Sequence, residues 1–308
     1  MANRSHAYAE ASSLRPDCGD AMTHIRVESS GGVGVITIDR KERFNSLDVE
    51  TARDLRRAGL ALSRDDAVRA VVLRGLPGVF CSGADLKYIR AGGEQQDLGY
   101  LQPRGTWAAG ADTSAGPAHP GYGEIFKQIL EYIHSTISEI RRAPKPVIAS
   151  VDGIAAAGGF GLAMSCDLVF ASEQATFEWA YGKTSLSGAE SSTFFLPRLV
   201  GLRRAMELLM LNPRLDARRA LDYGLVTAVL PVEGFEDAVL ATAARLAAGP
   251  TEALGIAKNL INDAAGMDRL DYHLDRELEH LARIADGANF AEGIDAFFAR
   301  RDPRFGAK

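Results

Sequence analysis

Two stretches decide the fold: Phe80-Cys81-Ser82-Gly83-Ala84-Asp85-Leu86 and Asp152-Gly153-Ile154-Ala155-Ala156-Ala157-Gly158-Gly159-Phe160-Gly161. In each, a short apolar run gives way to small residues and glycine, then to a further apolar segment. That pattern reads as a strand turning sharply into a helix. Small residues let the backbone bend tightly and leave N–H groups open at the helix start. Their positive potential suits an oxyanion. One such turn alone would read as tight packing of helix on sheet, whereas two in one chain point to a site. Neither matches G-x-G-x-x-G or G-x-x-x-x-G-K-[ST], which speaks against a Rossmann or P-loop nucleotide site.

Outward from these turns, the apolar pattern lays out an α/β chain. Residues 24–28 and 33–39 read as a hairpin around Ser29-Ser30-Gly31-Gly32. Asp48 is placed to cap a helix over 49–62, with Leu55, Ala58 and Leu62 on one face. Buried strands are expected at 68–74, 146–151 and 167–171, with Val79-Phe80-Cys81 after the first and a last short strand at 225–230. Ile125, Ile129, Ile133, Ile137 and Ile140 recur at helical spacing and predict a long amphipathic helix. Residues 192–200 and 203–211 are helical by pattern, and beyond Pro231 helices are expected at 235–248, 251–262, 270–285 and 291–299. Strands first and helices last make an α/β core with a helical appendage.

Three regions follow. Residues 1–22, rich in Ser, Ala and charge, read as a disordered extension without the apolar core of a secretory signal. Residues 23–231 form the core, interrupted at about 90–123 by a Gly- and Pro-bearing stretch with Tyr100 and Trp107 that reads as a lid loop. Residues 232–308 are the helical region. With 308 residues, 46% hydrophobic and 24% charged, the chain can bury a sizeable core. A net charge of -5 argues against nucleic acid or an anionic membrane as partner, and no apolar run is long enough to span a bilayer. Cys18, Cys81 and Cys166 are an odd number with no metal-ligand spacing, which points to a reducing compartment, the cytoplasm, and to no metal.

Several linked motifs now fall in order: Phe80-Cys-Ser-Gly-Ala-Asp-Leu-Lys87, Lys145-Pro-Val-Ile-Ala-Ser-Val-Asp-Gly153, Gly158-Gly159 with Cys166-Asp167, Leu196-Pro-Arg-Leu-Val-Gly201 and Ala220-Leu-Asp-Tyr-Gly-Leu-Val226. Over about residues 24–305 the chain resembles the crotonase superfamily, also called the enoyl-CoA hydratase/isomerase family. The resemblance implies an α/β fold with a crotonase-like ββα spiral core and a C-terminal helical trimerisation region, often assembled as a dimer of trimers. It implies an acyl-CoA thioester substrate, coenzyme A entering as part of that substrate with no permanently bound cofactor. Carried over by position, the amides of Ala84 and Gly158 would form an oxyanion hole. CoA would lie against Arg43 and the segment Ser82, Ala84, Asp85, Leu86 and Lys87. Phe298 and Arg301, in the run Phe297-Phe298-Ala-Arg300-Arg301, would meet it from the C-terminal region. An Arg fork suits phosphate, although a solvated surface charge is the alternative for each basic residue.

The resemblance breaks at the two glutamates that hydratases of this family place around the substrate double bond. Their positions are Gly161 and Tyr181 here, neither of which is a carboxylate. Related isomerases and a CoA dehalogenase branch carry an acidic residue farther along, at the position of Ala189, and Glu190 is its neighbour. Glu190 is therefore the candidate base, with a solvated carboxylate at a helix N-terminus as the alternative. Tyr181 could donate from its phenol or be a satisfied core tyrosine. Glu178 is a second carboxylate to test, and His119 and His134 stand outside the catalytic set. Three readings stay open: isomerase-type proton transfer through an enolate, a hydrolase or dehalogenase with Glu190 as nucleophile, and a catalytically silent acyl-CoA-binding protein.

Overall fold

The computed structural model describes residues 22–94 and 121–306. The proposed N-terminal extension up to residue 21, the middle of the lid loop, and with them Cys18, Tyr100, Trp107 and His119, lie outside the described residues.

The chain makes three successive passes of two strands and a helix. A hairpin of β1 (Ile25–Ser30) and β2 (Val33–Ile38) leads to α1 (Val49–Arg64), whose N-cap Asp48 accepts from the Thr51 amide. The first pass is β3 (Ala70–Arg74), β4 (Val79–Cys81) and α2 (Leu86–Arg90); α3 (Tyr122–Arg142) follows. The second pass is β5 (Val147–Val151), β6 (Ile154–Ala156) and α4 (Gly158–Ser165). The third is β7 (Leu168–Ser172), β8 (Thr176–Glu178) and, after a long connection, α5 (Ser192–Leu211). Then come β9 (Leu215–Asp216), α6 (Ala217–Asp222) and β10 (Ala228–Leu230), and the helices α7 (Phe235–Ala247), α8 (Thr251–Ala264), α9 (Leu270–Ala285) and α10 (Ala288–Ala299).

The first strand of each pass joins one sheet and the second strand joins another, so the chain spirals. The larger sheet has the order β1-β2-β3-β5-β7-β10, parallel except for the β1/β2 hairpin; the smaller has β4-β6-β8-β9, parallel from β4 to β8. Both faces of the larger sheet are covered, which is why its strands read as continuous apolar runs rather than alternating ones. Ile36, Ile38, Val71 and Leu73 pack towards α1 and α3. Their neighbours Val33, Val35, Ala70 and Val72 pack against Phe235, Val239 and Ala243 of α7.

Where sequence and structure differ, local signal was weak. The two helical runs at 192–211 are one element broken at Gly201, whose φ of 76° and ψ of 158° are non-helical. The strand expected at 225–230 shortens to Ala228–Leu230. β8 and β9, three and two residues long, are too short to show any periodicity.

Candidate active site

The three parallel strands of the smaller sheet lie side by side in the order β4-β6-β8, and each leaves the sheet at its C-terminal end towards a helix. Ligands of parallel sheets gather beyond those ends. The first exit carries Ala84, the second Ala157 and Gly158, and the third Tyr181 and Glu190.

The first two exits abut. Gly83 sits at φ +91°, and a Cβ there would stand 2.8 Å from the Ala157 Cβ and 2.9 Å from the Gly158 nitrogen. Only a residue without a side chain fits between the turns. Ala84 is bridged to Leu47: the Leu47 amide donates to the Gly83 carbonyl, and the Asp85 amide donates to the Leu47 carbonyl, both at 2.8 Å. Those two bonds turn the N–H of Ala84 itself away from Leu47. Ala157 adopts φ 46°, ψ -118°, held by its amide bond to the Glu178 carbonyl, and Gly158 opens α4. The first N–H groups of a helix have no partner within it. Among the described residues neither the Ala84 nor the Gly158 amide meets an acceptor.

The third exit is longer and contains the side-chain chemistry. Its end is a pair of left-handed non-glycine residues, Glu190 at φ 49° and Ser191 at φ 61°, a conformation that costs on the order of 1–2 kcal/mol per residue. Glu190 is not the solvated helix-terminal carboxylate of the alternative reading: it is only 2% exposed. Its Oε1 lies where it would be 2.7 Å from a Cβ on Gly158, and Oε2 accepts a hydrogen bond from the Tyr181 hydroxyl. A Cβ on Gly161 would run into the Glu190 carbonyl and stand 2.9 Å from the Glu190 Cβ. The absence of a side chain at position 161 thus makes room for the Glu190 backbone.

Burial dominates the protonation of this cluster. It pushes the Glu190 carboxyl up to about 8; the Tyr181 hydrogen bond opposes this and the Glu277 carboxylate adds to it. Tyr181 is raised well above its ordinary value, by burial and then by Glu190. The Cys81 thiol, buried nearby, is pushed up to about 12 and stays neutral. His134 falls to about 4 because its ring is buried, so its neutral Nε2 accepts the Glu190 amide N–H at 3.3 Å.

A cavity of about 440 Å³ opens over these groups. Its wall includes Ser82, Ala84, Asp85, Leu86, Lys87, Ala157, Tyr181 and Glu190. The buried lining includes the apolar Phe126, Leu186 and Leu281 together with the polar Ser46, Asp85, Glu178, Tyr181, Thr184 and Glu190. The exposed lining combines Lys87, Lys183 and Arg214 with Glu42 and the apolar Phe44, Ile154 and Phe297. A partly exposed Arg43 and Phe298 also reach the wall, whereas Gly158 lies just behind Ala157 and is not part of it. Arg301 is not at the wall; its guanidinium pairs with Glu292, 2.8 Å away at one oxygen. Glu178 lines the cavity but is tied to Asn212, Lys183 and Arg214.

Asp85 proves to be a structural hub. It caps α2 through the Lys87 and Tyr88 amides and receives Arg40 at 2.8 Å and Arg43 at 3.1 Å. Burial alone would raise its pKa, but the Tyr88 amide, Arg40 and Arg43 together hold it below the ordinary range. Arg43 is accordingly anchored beside the cavity rather than free. Among the described residues no cluster of His, Cys, Asp and Glu could hold a metal ion.

Sequence reasoning missed Lys183, Arg214, Phe126 and Leu281 at the cavity, and Glu277 behind it. A signal for Glu277 existed: Leu270, Leu274 and Leu281 make the buried stripe of α9, and Glu277 stands in that stripe at i+7 from Leu270. A carboxylate on an apolar face needs a partner.

Residues 28–107 and 102–308 match the family model described as enoyl-CoA hydratase/isomerase. The chain is 31% identical over 277 residues to the 1,2-epoxyphenylacetyl-CoA isomerase of Escherichia coli (strain K12), covering 90% of this chain and 96% of that protein. It is 31% identical over 284 residues to the 4-chlorobenzoyl coenzyme A dehalogenase-2 of Arthrobacter sp, covering 92% and 93%. The crystal structure of an enoyl-CoA hydratase from Mycobacterium avium subsp. paratuberculosis K-10 superposes with a TM-score of 0.77 at 31% identity, covering 93% of this chain and 100% of that one. The chain belongs to the enoyl-CoA hydratase/isomerase family of the crotonase superfamily and is an enzyme of that family.

Proposed function

We propose that the protein transfers protons on an acyl-CoA thioester through an enolate, in the manner of an isomerase rather than a hydratase. The thioester oxygen accepts from the Ala84 and Gly158 amides, and Glu190 removes a proton from the acyl chain and returns it. The observation that carries this reading is the Glu190 carboxyl, buried in the cavity wall beside Gly158, with no carboxylate at 161 or 181 to activate water as a hydratase would. Each backbone donor supports charge that develops only in the transition state, worth roughly 100-fold or more in rate. Tyr181 keeps the Glu190 carboxyl oriented and steadies its ionised form. At the mouth, exposed Lys87, Lys183 and Arg214, the last two sharing Glu178 as counter-charge, leave a basic edge that suits the CoA phosphates. No resident cofactor or metal is required.

Turnover of 2-enoyl- and 3-enoyl-CoA thioesters by wild type and Glu190→Gln tests the base. Loss of roughly 1,000-fold or more supports it, and an unchanged rate removes it. A second reading has Glu190 attack the acyl or aryl group as a nucleophile, and the similarity to a chlorobenzoyl-CoA dehalogenase favours keeping it. It requires oxygen from labelled water to enter the Glu190 carboxyl in a single turnover.

A trimer or dimer of trimers follows from the family resemblance, and exposed apolar side chains on α5 and α8, such as Leu202, Met210, Leu260 and Ile261, offer it a surface. The buried free thiols of Cys81 and Cys166 fit a reducing cytoplasm.

A further inference from the structure

The loop that presents Glu190 is gripped from behind by two polar side chains of the helical layer, neither of which reaches the substrate cavity. Glu277 of α9 is 6% exposed. Its Oε2 accepts the Ser191 amide at 2.8 Å, and its Oε1 accepts the Thr193 amide at 3.0 Å together with the Thr193 hydroxyl. His134 of α3 accepts the Glu190 amide through Nε2. The consecutive amides of Glu190 and Ser191 are therefore each captured by a different helix. Both residues are in the left-handed conformation, which neither residue type favours by itself. On the cavity side the same segment is met by Gly158, Gly161 and Tyr181.

We infer that Glu277, assisted by His134, is a positioning residue that holds the Glu190–Ser191 pair in its left-handed turn from behind the loop. This rests on the proposed role of Glu190 as base. Two separable consequences follow. The grip is geometric: without it the pair relaxes towards ordinary backbone angles, and the carboxyl leaves its place beside Gly158. The charge is electrostatic: a carboxylate behind a buried carboxyl favours the protonated form, and Glu277 contributes in that direction.

Other ionisable groups face the same segment. Tyr181 donates to Glu190 from the third exit, and Cys81 lies across from it on β4. His134 and His273 approach Glu277 at 4.0 and 3.6 Å. Arg198, Arg269, Tyr272, Arg276, His280 and Arg283 line a cavity that Glu277 and Thr193 share on the far side of the loop. Of these, Glu277 is the carboxylate bonded to the loop itself.

The test follows exchange of the α-protons of phenylacetyl-CoA with deuterated solvent by proton NMR, against pH, in the full-length protein. The ring makes those protons acidic, and exchange reports enolisation without a completed reaction. Wild type should show a rate rising with a midpoint near 8. Glu277→Gln keeps the shape, removes the charge and turns an amide N–H towards one of the loop donors. It should lower the plateau about tenfold and move the midpoint down by about one unit. A purely structural role would lower the rate with the midpoint unmoved, and that result, or a midpoint moved upward, overturns the inference.

Should Glu277→Gln not fold, His134 supplies the decision. His134→Ala should lose about tenfold, and His134→Gln, which can still accept the Glu190 amide, should recover most of it; equal rates in the two variants overturn the grip. Glu190→Gln separates the failures. If it exchanges at the wild-type rate, the base assignment is wrong. If it abolishes exchange while Glu277→Gln behaves as wild type, only the positioning role is wrong.

Discussion

The first two strand exits and the third put functional groups at one spot by opposite means. The exits after β4 and β6 are short, their tight approach is supplied by Gly83 and Gly158, and what they offer is main-chain N–H. The exit after β8 runs over residues 179–191, ends in two left-handed non-glycine residues, and offers a side chain. The former conformation is written mainly in local sequence, the exception being Ala157, whose φ of 46° is held by its amide bond to the Glu178 carbonyl. The latter is imposed from outside by Glu277, His134 and Tyr181. A donor array needs only room for the backbone to approach, whereas a buried carboxylate must be oriented, protonated at the right pH and kept dry, which takes partners from several elements.

The harshest way to break this contrast is to fill the space where the second and third exits meet. Gly161→Ala puts a methyl into the Glu190 carbonyl, backbone against backbone, and should destabilise the fold by about 3 kcal/mol. Urea unfolding checks this, and a change near zero would mean the contact is not as tight as described.

Gly158→Ala presses instead on the far end of the Glu190 side chain, at 2.7 Å. It should leave much of the stability and lower turnover roughly 100-fold by displacing the carboxyl. Stability falling as far as in Gly161→Ala would erase the distinction between the two glycines.

Glu190→Gln sharpens the contrast from the side of stability. The folded carboxyl titrates near 8 and an unfolded one near its ordinary 4.5. Between those values the folded state keeps a proton that the unfolded state has released, so the contribution of Glu190 to stability is present at low pH and is lost as pH rises through about 8. The His134 ring, lowered to about 4, works in the opposite direction below its ordinary 6.5, but it is common to both proteins. The variant should therefore gain on wild type from pH 5 to pH 8.5, by at most about 4 kcal/mol. Urea midpoints at the two pH values decide; a difference that shrinks with pH contradicts the burial argument.

The smallest effect is expected from Tyr181→Phe. Its hydroxyl lowers the Glu190 pKa, so removing it should raise the pH midpoint of turnover and slow the reaction roughly 3–10-fold at pH 7. A midpoint that falls would reverse the assigned direction of the hydrogen bond.

How much of this was legible follows the same division. The paired turns at 80–86 and 152–161 could be read directly because small residues and glycine announce a close approach. Leu225–Leu230 and the short β8 were less well resolved by pattern, since three residues carry no period. Glu190 could be named as a neighbour of the family's acidic position, but its inward aim depends on Gly158 and Gly161, which are distant in sequence. Arg301 could be tied to CoA only by resemblance, and its pairing with Glu292 nine residues away puts it off the cavity wall. Glu277 and His134 looked like ordinary helix residues because their partners are main-chain amides of a loop, which carry no side-chain signature.

The most direct test is a crystal structure with acetoacetyl-CoA, whose enolate form resembles the proposed intermediate. The thioester oxygen should lie within ~3 Å of both the Ala84 and Gly158 nitrogens, with a Glu190 carboxyl oxygen within about 3.5 Å of an acyl carbon that bears the transferred proton. A thioester oxygen bound elsewhere, or a Glu190 side chain turned away from the acyl group, would contradict it.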